Sequence, residues 1–319
     1  MATGSYVIGI DVGGQTTKLG VVDARGAVLA QTVIRTDNHD TVEPYIAELA
    51  EAVNKVIADA KAEGEIRGIG VGAPNGNYYT GNIESAPNLV WAHNTVEFAK
   101  LLSEALEGLP VALTNDANAA AVGEMTYGAA RGMKNFIMIT LGTGVGSGIV
   151  INGEVVYGHD GFAGELGHTA AVRNNGRVCG CGKTGCLETY CSATGVARTA
   201  REWLELTDEP SVLRSLDSIA SKDVYDAAKD GDKLALKIFE FTGKILGRSF
   251  ADFVAFSAPE AIVLFGGLAR AKEFLLEPIE NAMNENVLPL WRNKVKIVFS
   301  QLKESDAAIL GASALAWEL

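Results

Sequence analysis

Apolar residues come first in short runs, YVIGID (6–11), TKLGVVD (17–23) and AVLAQTVIR (27–35), separated by GGQT and ARG turns. Such runs predict a three-stranded antiparallel meander. From 41 to 63 the period changes, with Ile46, Leu49, Ala50, Val53, Val56 and Ile57 recurring at helical spacing, so a helix follows. IRGIGVGAP (66–74) reads as a buried strand, 95–106 as an amphipathic helix, PVALTND (110–116) as a strand and 117–127 as an Ala-rich helix. The order is βββαβαβα, which belongs to the α/β class.

The pattern restarts at 135. NFIMITLG, GVGSGIVING and EVVYG predict strands, with Asn152-Gly153 a strong hairpin signal. After an irregular stretch at 158–186, helical periods run over 193–205, 217–229 and 231–256. EAIVLFGG (260–267) reads as a strand, 270–288 as a helix, 295–299 as a strand and 306–318 as a closing helix expected to pack back on the first domain. Element order thus implies an internal duplication. A chain of 319 residues suits two domains of about 150 residues each, and two lobes around a cleft are expected.

Composition, 48% hydrophobic with 21% charged, is that of an ordinary folded enzyme. A net charge of -12 repels phosphate backbones and anionic lipid, which disfavours nucleic acid and membrane surfaces as partners. A small-molecule ligand is expected instead. The N-terminus runs into a strand without the features of an export signal. No apolar run reaches the roughly 18 residues of a membrane span, so a cytoplasmic protein is expected.

In DVGGQTTK (11–18) a strand ends in Asp11 and turns through Gly13-Gly14 into a strand carrying Lys18. Backbone N–H groups exposed at such a turn suit phosphate oxygens, and Asp11 suits a hydrated magnesium ion; any tight hairpin also favours glycine. TLGTGVGSG (140–148), with Thr143 and Gly144 at its turn, strips one strand face to glycine, which weakens a strand unless something approaches closely. Two such hairpins suit the phosphate tail of a nucleotide. LTNDANAA (113–120) puts Asn115 and Asp116 at a strand-to-helix junction. Both are good helix caps, yet a carboxylate there also sits where α/β domains bind ligands, and phosphoryl transfer needs one carboxylate to accept a hydroxyl proton.

All four cysteines lie between 179 and 191. Cys179, Cys181 and Cys186, with His168 eleven residues upstream, supply the three thiolates and imidazole of a closed structural zinc site; Cys191 reads as core. A zinc-pinned loop would present Glu165, His168 and Glu188 to the hydroxyls of a sugar, although glutamates are most often solvated surface charge. His39, His93 and His159 lack ligand-spaced neighbours and read as surface or loop residues. Asn88 in SAPNLVW is a ligand contact or a turn residue, and Gly266-Gly267 either admits an adenine ring or starts a helix.

Taken in order, DVGGQTTK, TNDANAA, LGTGVGSGIVINGEVVYG through GELGH, and CGCGKTGCLE resemble the motifs of the ROK family of bacterial sugar kinases, within the actin-like ATPase superfamily. The resemblance implies two ribonuclease H-like lobes around a central cleft, with 1–117 plus 302–319 as a small lobe. Residues 118–301 would then form a large lobe with the zinc loop and dimerisation helices. It also implies an ATP-dependent hexose kinase, most readily a glucokinase, with ATP, Mg2+ and structural Zn2+. Asp116 would be the base on the sugar 6-hydroxyl, while Asn115, Glu165, His168 and Glu188 hold ring hydroxyls. Asp11, Gly13, Gly14, Lys18, Thr143 and Gly144 would serve phosphates and magnesium, Gly266-Gly267 the adenosine, and the protein would be a homodimer. N-acetylglucosamine, N-acetylmannosamine, mannose and fructose kinases share these motifs, as do non-catalytic sugar-sensing repressors, whose helix-turn-helix has no room before residue 6. Two departures stand out: Gln15 replaces the family's Thr, and Pro74-Asn75 replaces Pro-Gly, where Asn tolerates a positive φ.

Overall fold

A computed structural model describes residues 5–319. By contact density the chain divides into two units: the first runs to Gly132 and adds Val155–Gly164 and Gln301–Leu319, and the second comprises Met133–Glu154 and Glu165–Ser300.

The first unit holds β1 (Tyr6–Val12), β2 (Thr16–Asp23), β3 (Val28–Arg35), β4 (Ile66–Gly72) and β5 (Val111–Thr114), in the order β3-β2-β1-β4-β5. β1 pairs antiparallel with β2 and parallel with β4, which pairs parallel with β5. Central strand β1 has apolar residues on both faces, which requires helices on both sides. One side receives α1 (Val42–Ala60), which buries Tyr45, Leu49, Val53 and Val56. Around the sheet lie also α2 (Phe98–Ala105) and α3 (Asp116–Thr126).

The second unit repeats the plan with β6 (Phe136–Leu141), β7 (Val145–Ile151), β8 (Glu154–Val155), β9 (Ala261–Phe265) and β10 (Lys296–Phe299), ordered β10-β9-β6-β7-β8. Antiparallel β6–β7 and parallel β6–β9 and β9–β10 pairings match those of the first sheet. The duplication implied by element order is therefore a duplication of topology. Its helices are α4 (Glu188–Cys191), α5 (Ala193–Leu206), α6 (Ser221–Lys229), α7 (Lys233–Ser257) and α8 (Lys272–Asn286). The closing helix α9 (Glu304–Leu315) belongs to the first unit. Glycine makes that docking possible: a Cβ on Gly9 or Gly70 would collide with the α9 carbonyls of Ile309 and Ala312.

Three differences from the expected elements follow from how the chain packs. The expected division after residue 117 falls instead at Gly132, because α3 packs on α9, with Gly123 set against Gly311. EVVYG gives only the two-residue β8, since Tyr157 turns away to stack on Tyr78 at 4.1 Å and 4°. The segment 155–164 also belongs to the first unit, where Asn77 Nδ2 donates to the Asp160 carbonyl at 2.8 Å. Finally, β5 stops at Thr114, and Asp116 becomes the first residue of α3 instead of the end of a strand.

Candidate active site

Sheet register in the first unit decides which side chains share an end. Asp11 is the β-partner of Gly72, and Gly72 of Thr114, so the ends of β1, β4 and β5 form one row, with Asp116 two residues beyond. This is the carboxyl end of parallel strands, where α/β sheets bind ligands. Gly72 sits in the row without a side chain, and a Cβ there would approach the Asp116 Cα at 3.6 Å. The tighter contact would be with the Ala119 Cβ at 3.2 Å, so glycine at 72 lets α3 start close against the row that carries Asp11. Asp11 is raised to about 6, first by burial and then by the charge of Asp116, while Lys18, its partner on β2, opposes the shift. Surrounding protein likewise raises Asp116 above the ordinary carboxylate range, opposed by backbone N–H donors. Its Oδ1 accepts from the Ala117 N–H at 2.8 Å, and its surface stays open to water, so crowding increases proton affinity while the exposed face keeps the group reachable. A pair that resists double ionisation suits a base beside a cation site.

Asn115 is the N-cap of α3: its Oδ1 accepts from the Asn118 N–H at 2.7 Å. The capping role takes one lone pair of Oδ1 and leaves the amide N–H2 as donors for a ligand. The Gly13-Gly14 hairpin is closed by Gly13 N–H to the Thr16 carbonyl at 3.0 Å. A Cβ on Gly14 would lie 2.8 Å from the Asn88 carbonyl, so the hairpin is seated on the Asn88 loop. Asn88 and Gln15 are both exposed.

In the second unit the hairpin between β6 and β7 carries Thr143, exposed at its tip, and Gly144. Thr194 Oγ1 donates to the Thr143 carbonyl at 2.7 Å, and Ala193 N–H to that of Gly142 at 2.8 Å, which pins the turn to the start of α5. Glu188 is tied to the same turn: its Oε2 accepts from the Val145 N–H at 3.0 Å. A Cβ on Gly144 would strike that oxygen. Oε1 of Glu188 lies 3.8 Å from Cys179 Sγ, so one carboxylate bridges the hairpin and the cysteine loop.

Glu165 precedes a short 3-10 turn, Leu166–His168, whose Leu166 N–H donates to the buried Ser147 hydroxyl on β7 at 3.0 Å. The ligand atoms of His168, Cys179, Cys181 and Cys186 all lie within 4.8 Å of one another. Cys179 Sγ is 3.7 Å from His168 Nδ1, and Cys181 and Cys186 sulfurs are 3.7 Å apart. A tetrahedron with Zn–S bonds of about 2.3 Å has edges of about 3.8 Å, so donor set and spacing fit zinc. Cys191 is fully buried with its sulfur facing the Thr242 carbonyl, as a core residue.

Gly266, at φ 100, packs its backbone on Leu141, where a Cβ would come within 2.6 Å; nothing stands near Gly267. Glycine at 266 is thus needed by the fold, and the backbone of 266 is half-exposed beside the exposed Gly267. His93 and His159 are exposed, and His39 pairs with Glu48 at 2.5 Å. Sequence reasoning did not reach the contact of Glu188 with Val145 or the proximity of Asp11 to Asp116, since both depend on pairings remote in the chain. Arg177, buried at the base of the cysteine loop, was also passed over; an arginine two residues before a ligand cysteine was the available signal.

With this geometry in hand, the comparisons with known proteins give one family. The ROK family profile matches residues 7–318, and the chain belongs to the ROK family. It is similar to the glucokinase of Halalkalibacterium halodurans, 37% identical over 96% of this chain and 93% of the relative. In structure it is similar to a ROK family glucokinase from Streptomyces griseus in complex with glucose and AMPPNP, with a TM-score of 0.79 and 32% identity over 98% of this chain and all of that one. The xylose repressor of Caldicellulosiruptor bescii is 28% identical over 97% of this chain but only 77% of its own length. The fold is that of the actin-like ATPases. Among the described residues no helix is long and apolar enough to cross a membrane.

Proposed function

We propose that this chain is an ATP-dependent hexose kinase that phosphorylates the 6-hydroxyl of a free sugar, with glucose as the first choice. The observation that carries the reading is the Asp116 carboxylate, exposed at the N-terminus of α3 and set beyond the same row of strand ends that carries Asp11. Asp116 takes the proton from the 6-hydroxyl; that oxygen bonds to the γ-phosphorus, the bond to the β-phosphate oxygen breaks, and ADP leaves. A protein needs little more covalent chemistry than this for phosphoryl transfer.

Other residues bind and orient. Asp11 would hold a hydrated Mg2+, which neutralises phosphate charge, and Lys18 with the Gly13-Gly14 and Thr143-Gly144 turns would hold phosphate oxygens. Glu165, His168, Glu188, the Asn115 amide and Asn88 would hydrogen-bond sugar hydroxyls, and Gly267 beside Gly266 would meet the adenosine. His168, Cys179, Cys181 and Cys186 would hold a structural zinc whose work is to fix the loop carrying those groups. The likeness to glucokinases across nearly the whole chain supports glucose, ATP and Mg2+. The protein would work as a cytoplasmic homodimer with no nucleic-acid partner.

A coupled assay of ADP release with glucose, mannose, fructose, N-acetylglucosamine and N-acetylmannosamine tests the substrate. Glucose should give the highest kcat/KM; a preference for an N-acetylhexosamine would replace glucose without removing the kinase. The likeness to a xylose repressor favours one other reading, a non-catalytic sugar sensor. Such a protein would bind sugar and release no ADP.

A further inference from the structure

Arg177 stands two residues before Cys179 and is only 8% exposed. Its backbone N–H donates to the Tyr190 hydroxyl at 2.9 Å, and its guanidinium lies 4.5 Å from the centre of the same ring. Nε and Nη2 reach Glu202 Oε2 at 3.1 and 2.6 Å, and Nη2 also donates to Thr199 Oγ1 at 2.9 Å. Nη1 donates to the carbonyls of Thr189 at 2.7 Å and Gly195 at 3.3 Å. Every guanidinium donor has an acceptor, which a buried cation requires. The Arg177 carbonyl in turn accepts the Gly185 N–H at 2.8 Å and closes the cysteine loop.

These bonds join the loop to α4 and α5. Thr189 and Tyr190 directly follow Glu188, whose carboxylate meets the Val145 N–H at 3.0 Å. One side chain thus lies two residues from a thiol ligand and touches the two residues after Glu188. Its planar fork makes five hydrogen bonds to four acceptors at fixed angles, which an ammonium cannot do. Zinc loops in small domains owe their order to the ion; this loop has a second anchor of its own.

We infer that Arg177 is a positioning residue that sets the cysteine loop and the Glu188 carboxylate in place independently of the metal, so that ion and sugar meet a preformed site. The part of this concerning sugar rests on the hexose-kinase reading; the part concerning the loop does not.

Lys183, exposed at the loop's tip, provides a tryptic site that reports loop order. The experiment compares the full-length protein with Arg177→Lys and, should that variant fold poorly, Glu202→Gln, each with zinc removed by chelator and with zinc restored. Metal-free wild type should resist cleavage after Lys183, and the metal-free variants should be cut about tenfold faster, with zinc affinity lowered about tenfold because the loop that presents the thiols must then be ordered by the ion. Reloaded with zinc, the variants should show a hexose KM raised about tenfold and an ATP KM within about twofold of wild type, a split that general loss of stability would not produce. Equal cleavage of metal-free wild type and variants overturns the proposal. Faster cleavage with an unchanged hexose KM overturns its Glu188 half alone, and with it the sugar role of that carboxylate.

Discussion

Replacing Asp116 by Asn removes the charge and basicity of one carboxylate while leaving its shape. The Asn oxygen still accepts the Ala117 N–H that Asp116 Oδ1 accepts at 2.8 Å, and Asn115 remains the cap of α3. The start of the helix is therefore preserved, and the change isolates proton acceptance. A positioned general base contributes about 10²–10⁴ in rate, so kcat should fall by that factor, a barrier increase of about 2.7–5.5 kcal/mol. Hexose KM should stay within about threefold, because ground-state hydrogen bonds to the hydroxyl survive the exchange. The pH profile gives a second check. Both carboxylates must be ionised to work and both are raised, Asp11 to about 6, so wild-type kcat/KM falls as pH falls through that region. In Asp116→Asn the second-largest cause of the Asp11 shift is gone, and the acid limb that remains moves to lower pH. Steady-state ADP release between about pH 5 and 8, at one magnesium concentration below saturation so that the cation does not itself depress the Asp11 carboxyl, measures both effects. A variant that keeps more than about a tenth of kcat, or whose acid limb does not move, refutes the assignment of Asp116 as the base.

Asp11→Asn should raise the magnesium concentration needed for half-maximal activity and remove most turnover, yet stabilise the ligand-free protein. A carboxyl raised from 3.8 to about 6 binds more protons folded than unfolded, so folding stability falls as pH rises from about 4 to 6 and stays reduced at neutral pH, by at most about 3 kcal/mol. Thermal unfolding at neutral pH should move up by several degrees and match wild type near pH 4; a lower Tm at neutral pH contradicts this. Gly144→Ala places a methyl group against the Glu188 oxygen that accepts the Val145 N–H, and should raise hexose KM more than it destabilises the fold, read by kinetics beside a melting curve. Cys179→Ser should lose stoichiometric zinc by metal analysis and loosen sugar binding in calorimetry; a zinc-free protein that binds sugar with unchanged affinity removes the loop from the account.

Much of the fold is legible because local chemistry and global topology agree. Asn152-Gly153 takes φ 56 and 85, the mirror-image turn its sequence predicts. Asn75 takes φ 52, the positive φ expected of its place after Pro74. The repeated strand order follows from a repeated order of periods, and the spacing of His168, Cys179, Cys181 and Cys186 anticipates a cluster whose donor atoms lie within 4.8 Å of one another. What was not legible depends on long-range packing. Asp11 and Asp116 influence each other only because β4 lies between β1 and β5 with Gly72 in the row. The end of the first unit lies beyond α3 because α9, almost two hundred residues later, supplies the surface α3 packs on. The packing of the Gly266 backbone on Leu141 is a structural demand that the Gly-Gly motif does not announce. Arg177 carries no motif signal beyond its place before Cys179, and its role emerges only where α4 and α5 fold against it.

The central claim is that ATP turnover here is driven by a sugar hydroxyl presented to Asp116. ADP release with and without glucose, measured alongside glucose 6-phosphate in the same reaction, tests it most directly. The account predicts negligible ADP without sugar and one glucose 6-phosphate for every ADP with it. ADP formed at the same rate without sugar, or sugar bound with no ADP formed, would contradict it.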